Sequence, residues 1–282
     1  MKILVTGGEG FIGSNLIKQL VTEGHEVHSL DNLETGNSDN RVDGCNYILG
    51  DIEQILWMRG DNFDLCYHLA AMSRLQPSFD DPMETFRVNV TGTQCIAEWA
   101  RQCDVKVVYA GSASRWGDST ASPYASSKKM GEDILKMYRT SYGCNFEIAR
   151  FYNVYGPNEL VDEKLGSVIG IWRYCTENNQ VLKINGSGNQ KRDFIHVEDI
   201  VDGLIKIGMS EETHSDAWEL GTGIQYSINE LFQMFKERFG KDFWPSKRLM
   251  GDVEDSPLQN TDTHTKLGWK PKDRLKEYIQ SL

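Results

Sequence analysis

The chain has 282 residues, 39% hydrophobic and 25% charged, with 26 glycines and a formal charge of −11. This composition, with a mean hydropathy of −0.47, excludes disordered, collagen-like and membrane-spanning chains and leaves enough apolar residues for a sizeable core. The acidic balance disfavours nucleic acid and anionic membrane surfaces, but not a small anion held by local cations in a cleft. The apolar run after Lys2 breaks at Gly7, too short for an export signal. Cys45, Cys66, Cys95, Cys103, Cys144 and Cys175 form no C-x-x-C pair. They read as free thiols rather than a disulfide framework or a metal site, which fits a reducing cytoplasm.

In chain order, short apolar runs alternate with amphipathic stretches. Lys2–Thr6 is expected as a strand, and 11–23 as a helix with Ile12, Leu16, Ile17 and Leu20 at helical spacing. Strands are expected at 26–30, Cys45–Leu49 and 64–69. A long helix is expected over 80–102, carrying Phe86, Val90, Ile96 and Trp99. A strand at 105–110 and a helix over Pro123–Tyr142 follow, the latter with proline where a missing N–H costs nothing. A strand at 145–150 completes the series. Such alternation predicts a doubly wound parallel sheet of Rossmann type, covered by helices on both faces. After Tyr155-Gly156-Pro157 the rhythm changes: helix 166–177, strand 181–184, a glycine-rich turn, strand 193–196 and helix 197–208, then helices 227–239 and 274–281. The expected division is a dinucleotide-binding part over 1–155, to which 193–210 returns. A smaller C-terminal α/β part over 156–192 and 211–282 would bind substrate.

The first motif is Thr6-Gly7-Gly8-Glu9-Gly10-Phe11-Ile12-Gly13, its glycines spaced G-x-x-G-x-x-G between a strand and a helix. Glycine allows the sharp turn and the close approach of a pyrophosphate, and the helix N-terminus offers free N–H groups and a positive dipole end. Asp31 ends the second strand, where a carboxylate holds the adenosine ribose hydroxyls. No arginine directly follows it, since Asn32 and Leu33 come next. This favours NAD over NADP, whose 2′-phosphate would meet an unpaired carboxylate.

The second constellation is Ser112 with Tyr124-x-x-x-Lys128. Tyrosine and lysine four apart share a helix face, so the ammonium is placed to stabilise a phenolate. Bringing a phenol from a pKa of ~10 towards 7 requires about 4 kcal/mol of differential stabilisation. Ser112 lies just past the fifth predicted strand, at the carboxyl edge where an open α/β sheet keeps its ligand crevice. The Y-x-x-x-K spacing alone proves little; its place after the Ser112 strand is the evidence.

These residues resemble the extended short-chain dehydrogenase/reductases of the nucleotide-sugar epimerase/dehydratase group, and the likeness runs nearly end to end. Besides the glycine motif and Asp31-Asn32-Leu33 it includes Gly50-Asp51-Ile52, His68-Leu69-Ala70-Ala71, Asn89-Val-x-Gly92-Thr93 and Tyr124-x-x-x-Lys128. It continues through Arg150-Phe-Tyr-Asn153-x-Tyr-Gly-Pro157, the stretch from Gly186 through Arg192 and His196 to Asp199, and Leu267-Gly-Trp-x-Pro271. The resemblance implies catalytic roles for Ser112, Tyr124 and Lys128. It implies NAD contacts from Gly7, Gly10, Phe11, Ile12, Asp31, Asn32, Asp51, Ile52, Leu69, Ala70 and Ala71, with Tyr124 and Lys128. Ser112, Asn153 and Arg192 would bind the sugar nucleotide, the last two at its diphosphate. It also implies a homodimer, with 80–102 and 123–142 pairing with their copies and apolar residues such as Phe86 and Met137 at the contact or in the core.

Several residues read more plainly. His68 and His196 suit structural roles at strand ends, and Lys191 a solvated one. Trp116 stands where the group usually has tyrosine. Arg192 suits a phosphate ligand better than a surface ion pair, because a planar guanidinium binds two oxygens at once. Two departures carry information. Dehydratases of this group have an acidic pair directly after the Ser/Thr, whereas here Ala113 and Ser114 follow Ser112. The loop between Gly117 and Tyr124 is short, so one wall of a sugar pocket is thin or supplied from elsewhere. The expected activity is NAD-dependent epimerisation of a nucleotide sugar, at C4 of a UDP-hexose. A decarboxylase, dehydratase or reductase on the same scaffold, or a non-catalytic NAD-binding regulator, remains an alternative. Intact Ser112, Tyr124 and Lys128 speak against the regulator.

Overall fold

The computed structural model describes residues 1–282, the side chain of Arg115 excepted. The apolar runs of the first half pair side by side. In chain order the elements are β1 (Lys2–Thr6), α1 (Phe11–Thr22), β2 (Glu26–Asp31), β3 (Cys45–Leu49), β4 (Leu65–His68), α2 (Pro77–Asp80), α3 (Pro82–Phe86), α4 (Thr93–Cys103), β5 (Lys106–Ser112), α5 (Pro123–Tyr142) and β6 (Phe146–Phe151). The second half holds β7 (Asn153–Tyr155), α6 (Val168–Glu177), β8 (Leu182–Asn185), β9 (Lys191–His196), α7 (Val197–Met209), β10 (Trp218–Leu220), β11 (Gln225–Ser227), α8 (Ile228–Phe239), β12 (Phe243–Ser246), α9 (Asp262–Lys266) and α10 (Leu275–Ser281).

The main sheet has seven strands in the order β10-β6-β5-β4-β1-β2-β3, every neighbour parallel. The order reverses between β1 and β4, and ligand crevices open at the carboxyl ends beside such a reversal. One face carries a core from Leu16, Ile17 and Leu20 of α1 and Ile200, Leu204 and Ile207 of α7. The other carries Ile96, Ala97 and Trp99 of α4 with Leu135 and Tyr138 of α5. A separate apolar cluster joins Trp172, Leu182, Phe232, Phe235 and Ile279 around α6, β8, α8 and α10. The expected doubly wound parallel sheet is therefore present. The segment over 211–282, expected in the smaller part, contributes Trp218–Leu220 to the main sheet as its edge strand.

The helix expected over 80–102 is not continuous. Asp81 sits in a non-helical conformation and its side chain accepts from the Glu84 N–H, starting α3 afresh with Pro82 at its first position. A proline cannot continue a preceding helix and biases the residue before it away from helical angles. Arg87–Gly92 then forms a wider π-type turn before α4 begins. Gly92 is pressed there against Ile52, 2.7 Å from where a Cβ would lie. Ser112 is the last residue of β5 rather than lying beyond it. The strands β7, β10 and β11 have three residues each and β12 four, too short for a period-two pattern to register. By contrast α5 has the expected bounds. The Ser122 hydroxyl accepts from the Ala125 N–H at 3.1 Å, Pro123 opens the first turn, and Gly143 closes the helix at φ 72°.

Trp269 ties the C-terminal tail back to the sheet. Its ring is fully buried in the α1–α7 core, and its indole N–H donates to the Asp199 carbonyl at 2.9 Å. Trp269→Ala should therefore lower unfolding stability by about 3–5 kcal/mol, read from the urea midpoint at constant m-value. A loss below about 1 kcal/mol would show that the tail is not anchored through this ring.

Candidate active site

The glycine loop leaves β1 through Gly7 at φ +71°, a conformation that only glycine adopts without strain. A Cβ on Gly7 would lie 2.8 Å from the Ala70 nitrogen, so the stretch leaving β4 passes directly against the loop. Leu69 and Ala70 are fastened there by N–H bonds to the Thr6 carbonyl (3.1 Å) and hydroxyl (3.3 Å). A Cβ on Gly13 would collide with the Gly7 carbonyl oxygen. Gly10 caps α1, and no side chain caps that end. The N–H groups of the first turn, around Phe11 and Ile12, are thus left to face an anion. At the next strand end, Asp31 is buried, with one oxygen accepting from the Glu9 N–H and the other from the Leu33 N–H, both at 2.9 Å. Each oxygen keeps a lone pair for a hydroxyl. Asn32 is exposed. Asp51 starts the helical turn Ile52–Trp57, and both its oxygens take Arg87 bonds at 3.0 and 2.9 Å. Arg87 above all holds the Asp51 carboxyl below its usual range.

Ser112, Tyr124 and Lys128 meet at the carboxyl end of β5. Burial raises the Tyr124 phenol, while a hydrogen bond with the Ser112 hydroxyl and the charge of Arg74 act to lower it. Burial brings the Lys128 ammonium down to about 8, with Glu132 opposing. Lys128 lies over the Tyr109 ring, 4.6 Å from its centroid. The Ser112 hydroxyl oxygen also accepts from the Ser114 N–H (3.2 Å) and hydroxyl (2.9 Å). Asn89 links the stretch after β4 to α5: its amide exchanges bonds with Met72 backbone atoms at 2.8 and 3.0 Å and donates to the Ser127 hydroxyl at 2.9 Å.

His68 is buried between the Thr6 and Thr93 hydroxyls, at 2.8 and 3.1 Å, and burial lowers its pKa to about 3. It is a neutral structural histidine. His196 caps α7, its Nδ1 accepting from the Glu198 N–H at 3.3 Å.

Asn153 and Arg192 lie on adjacent strands, Asn153 in register with Phe194 two residues from Arg192. The Asn153 amide donates to the Asp193 carbonyl at 3.2 Å. The Arg192 guanidinium, largely buried, donates to the Asp252 carboxylate at 2.5 Å and to the Val253 carbonyl at 2.7 Å. The stretch from Met250 to Val253 packs against the short loop before Tyr124 and the residues after β4. Gln76 donates to the Met250 carbonyl at 2.9 Å. Cβ atoms on Gly251 and Gly117 would lie 3.1 Å from the Ala121 carbonyl and 3.0 Å from the Val253 side chain.

Sequence reasoning missed three cations. Arg74 follows β4 and donates to the Leu165 carbonyl at 2.5 Å, close enough to Tyr124 to influence it. Arg248 reaches the Asp252 carbonyl at 3.3 Å. Arg41 pairs with the buried Glu9 in the glycine loop at 3.0 Å. All three arrive from irregular loops, where no periodic pattern marks them; Arg41, ten residues past Asp31, is a basic residue the adjacency argument did not reach.

The pattern describing the NAD dependent epimerase/dehydratase family matches residues 3–221. The chain belongs to this family. A UDP-glucose 4-epimerase of Mycolicibacterium smegmatis is 33% identical over 99% of this chain and 96% of its own. A UDP-glucuronic acid decarboxylase of Arabidopsis thaliana is 28% identical, with 98% and 86% covered. The Thermus thermophilus UDP-glucose 4-epimerase, solved in complex with NAD, superposes with a TM-score of 0.90 at 30% identity, covering 99% of this chain and 97% of that one. The family's cofactor suits the residues present: glycines that a Cβ would block, an uncapped helix N-terminus for a pyrophosphate, and an Asp31 carboxylate with accepting capacity for a ribose diol.

The cation beside Tyr124 yields a pH prediction. Arg74→Gln removes a charge that favours the phenolate, so Tyr124 should ionise at higher pH than in the parent. Ultraviolet difference titration, with Tyr124→Phe as the reference, reads this directly. An unchanged or lower transition would show that Arg74 does not act on Tyr124.

Proposed function

We propose that this family member interconverts the C4 epimers of a UDP-hexose through a 4-keto sugar. The observation that carries the reading is the placing of Ser112, at the carboxyl end of β5, with Tyr124 and Lys128 one turn apart on α5, at the sheet end that also bears the glycine cradle. Bound NAD supplies the hydride acceptor and, on return, the donor. Tyr124 as phenolate takes the C4 hydroxyl proton while hydride leaves the same carbon, and Ser112 hydrogen-bonds that oxygen. The Lys128 ammonium favours the phenolate. Gly7, Gly10, Phe11 and Ile12 would cradle the pyrophosphate, Asp31 and Asn32 the adenosine ribose, Asp51 and Ile52 the adenine, and Leu69, Ala70 and Ala71 the stretch towards the nicotinamide. Asn153 and Arg192 would hold the diphosphate, Arg192 exchanging its Asp252 carboxylate for it, while the keto sugar turns about its bond to it and presents its other face. On this reading 1–155 with 193–210 serves the dinucleotide, and 156–192 with 211–282 serves chiefly the sugar nucleotide.

Elimination of water needs an acid and a base beyond the redox tyrosine. Ala113 and Ser114 offer neither at the expected place, which favours epimerisation over dehydration. The decarboxylase reading keeps the same first hydride step and differs in the substrate. Substrate deuterated at C4, turned over in ordinary water, should keep its label at C4 with no accumulation of NADH. Label lost to solvent would overturn C4 epimerisation, and CO2 released from a UDP-uronate would establish the decarboxylase. Tyr124→Phe should lower turnover by roughly 10²–10⁴-fold while calorimetry shows NAD affinity retained. Near-parental turnover would remove Tyr124 from the mechanism.

We also infer a cytoplasmic homodimer. Among the described residues no helix is long and apolar enough to cross a membrane. Met83, Met130 and Met137 expose large apolar side chains on α3 and α5, and Phe86 is half-buried. Light scattering at micromolar concentration should give twice the 32.1 kDa chain mass; the monomer mass would refute the pairing.

A further inference from the structure

The third residue of the glycine loop is a glutamate whose side chain is completely buried. One Glu9 oxygen accepts from the Arg41 Nε and Nη2 at 3.2 and 3.0 Å, and the other accepts from the Ser29 hydroxyl at 2.5 Å. The Glu9 backbone is fastened at both ends of its peptide unit. Its N–H donates to Asp31, and its carbonyl accepts from the Asn37 N–H at 3.0 Å and the Asn40 amide at 2.9 Å. Arg41 lies on the Tyr47 ring, 4.9 Å from its centroid, with its side chain about two-fifths exposed.

An arginine near the acidic residue at the end of the second strand is the usual means of accommodating a 2′-phosphate. Arg41 is such an arginine, delivered by the loop that follows Asp31. Its charge, however, is matched by Glu9, and two of its nitrogens already serve one carboxylate oxygen. Glu9 thus joins the two, its N–H on the Asp31 carboxylate and its own carboxylate on the Arg41 guanidinium. We propose that Glu9 determines dinucleotide choice by engaging Arg41, withholding its guanidinium from the 2′-phosphate of NADP. This rests on the dinucleotide reading of the glycine loop and adds to it a residue that sets specificity.

The test measures Kd for NAD and NADP by calorimetry, at one low ionic strength, on the whole protein and on Glu9→Gln, Arg41→Gln and the double variant. Glutamine keeps the shape of Glu9 and removes its charge. The ratio of NADP to NAD Kd should fall at least tenfold in Glu9→Gln. It should rise at least threefold in Arg41→Gln, where the Glu9 charge is no longer matched. The double variant should lose most of the Glu9→Gln gain. Arg41 is on the surface, so its variant reports even if Glu9→Gln unfolds in a thermal melt. A ratio unchanged in both single variants overturns the proposal, as does a Glu9→Gln gain that survives intact in the double variant. A parent protein that binds neither dinucleotide overturns the underlying reading as well.

Discussion

The geometry of the site depends on one buried guanidinium. Arg150, on β6, is completely buried and binds both oxygens of Glu132 on α5, at 3.0 and 2.7 Å. It also binds both oxygens of Asp216, at 2.6 and 2.9 Å, and Glu219 of β10 at 3.3 Å. The Trp116 ring covers it at 4.8 Å and donates to Glu219 at 3.1 Å, and the Tyr152 hydroxyl donates to the other Glu219 oxygen. Glu132 stands four residues after Lys128 and eight after Tyr124, so clamping it to the sheet fixes the rotation of α5 and with it both side chains. Gly111 shows how close the fit is. A Cβ there would lie 2.9 Å from Glu132 and 3.1 Å from the Arg150 stem, directly before Ser112. Removing Arg150 from this cluster would cost on the order of 3–5 kcal/mol, because two of the carboxylates it binds, Glu132 and Glu219, are completely buried.

This clamp gives Tyr124 a place but not a charge. Burial raises the phenol, and the Ser112 hydroxyl and Arg74 act to lower it; in the proposed reaction Lys128 would add to them. The positive charge of an oxidised nicotinamide is the natural further contribution, so proton removal would be matched to the presence of the oxidant. Lys128, itself brought down to about 8 by burial, sits where the same desolvation strengthens any charge it faces.

Much of this was legible in the residues. Gly7 turns the chain at a positive φ, and Gly13 stands where a Cβ would meet the Gly7 carbonyl, as their spacing foretells. Asp31 ends a strand with clear apolar character, and Pro123 with Ser122 announces α5 by capping chemistry alone. What escaped depends on contacts distant in sequence. The break at Pro82 was readable from the proline, but the periodicity of Phe86, Val90 and Ile96 overrode it. The three-residue strand at Trp218 forms because β6 offers a partner, not because of its own pattern. The packing against the short loop comes from Met250 to Val253, more than a hundred residues away from it. Trp116, where the group usually has tyrosine, packs over Arg150 and bonds Glu219, partners that no local pattern reveals.

The edge position of β10 has a consequence for the order in which a growing chain matures. Arg150 leaves the ribosome well before Asp216 and Glu219, two of the carboxylates it binds in the finished sheet. Until those residues emerge, Arg150 has only Glu132 of the three carboxylates it binds in the finished sheet, and β6 would keep an open hydrogen-bonding edge. Such an edge is a template for pairing with a second unfinished chain. The short strand around Trp218 therefore covers the β6 edge, and a brief edge strand is a poor template for further pairing.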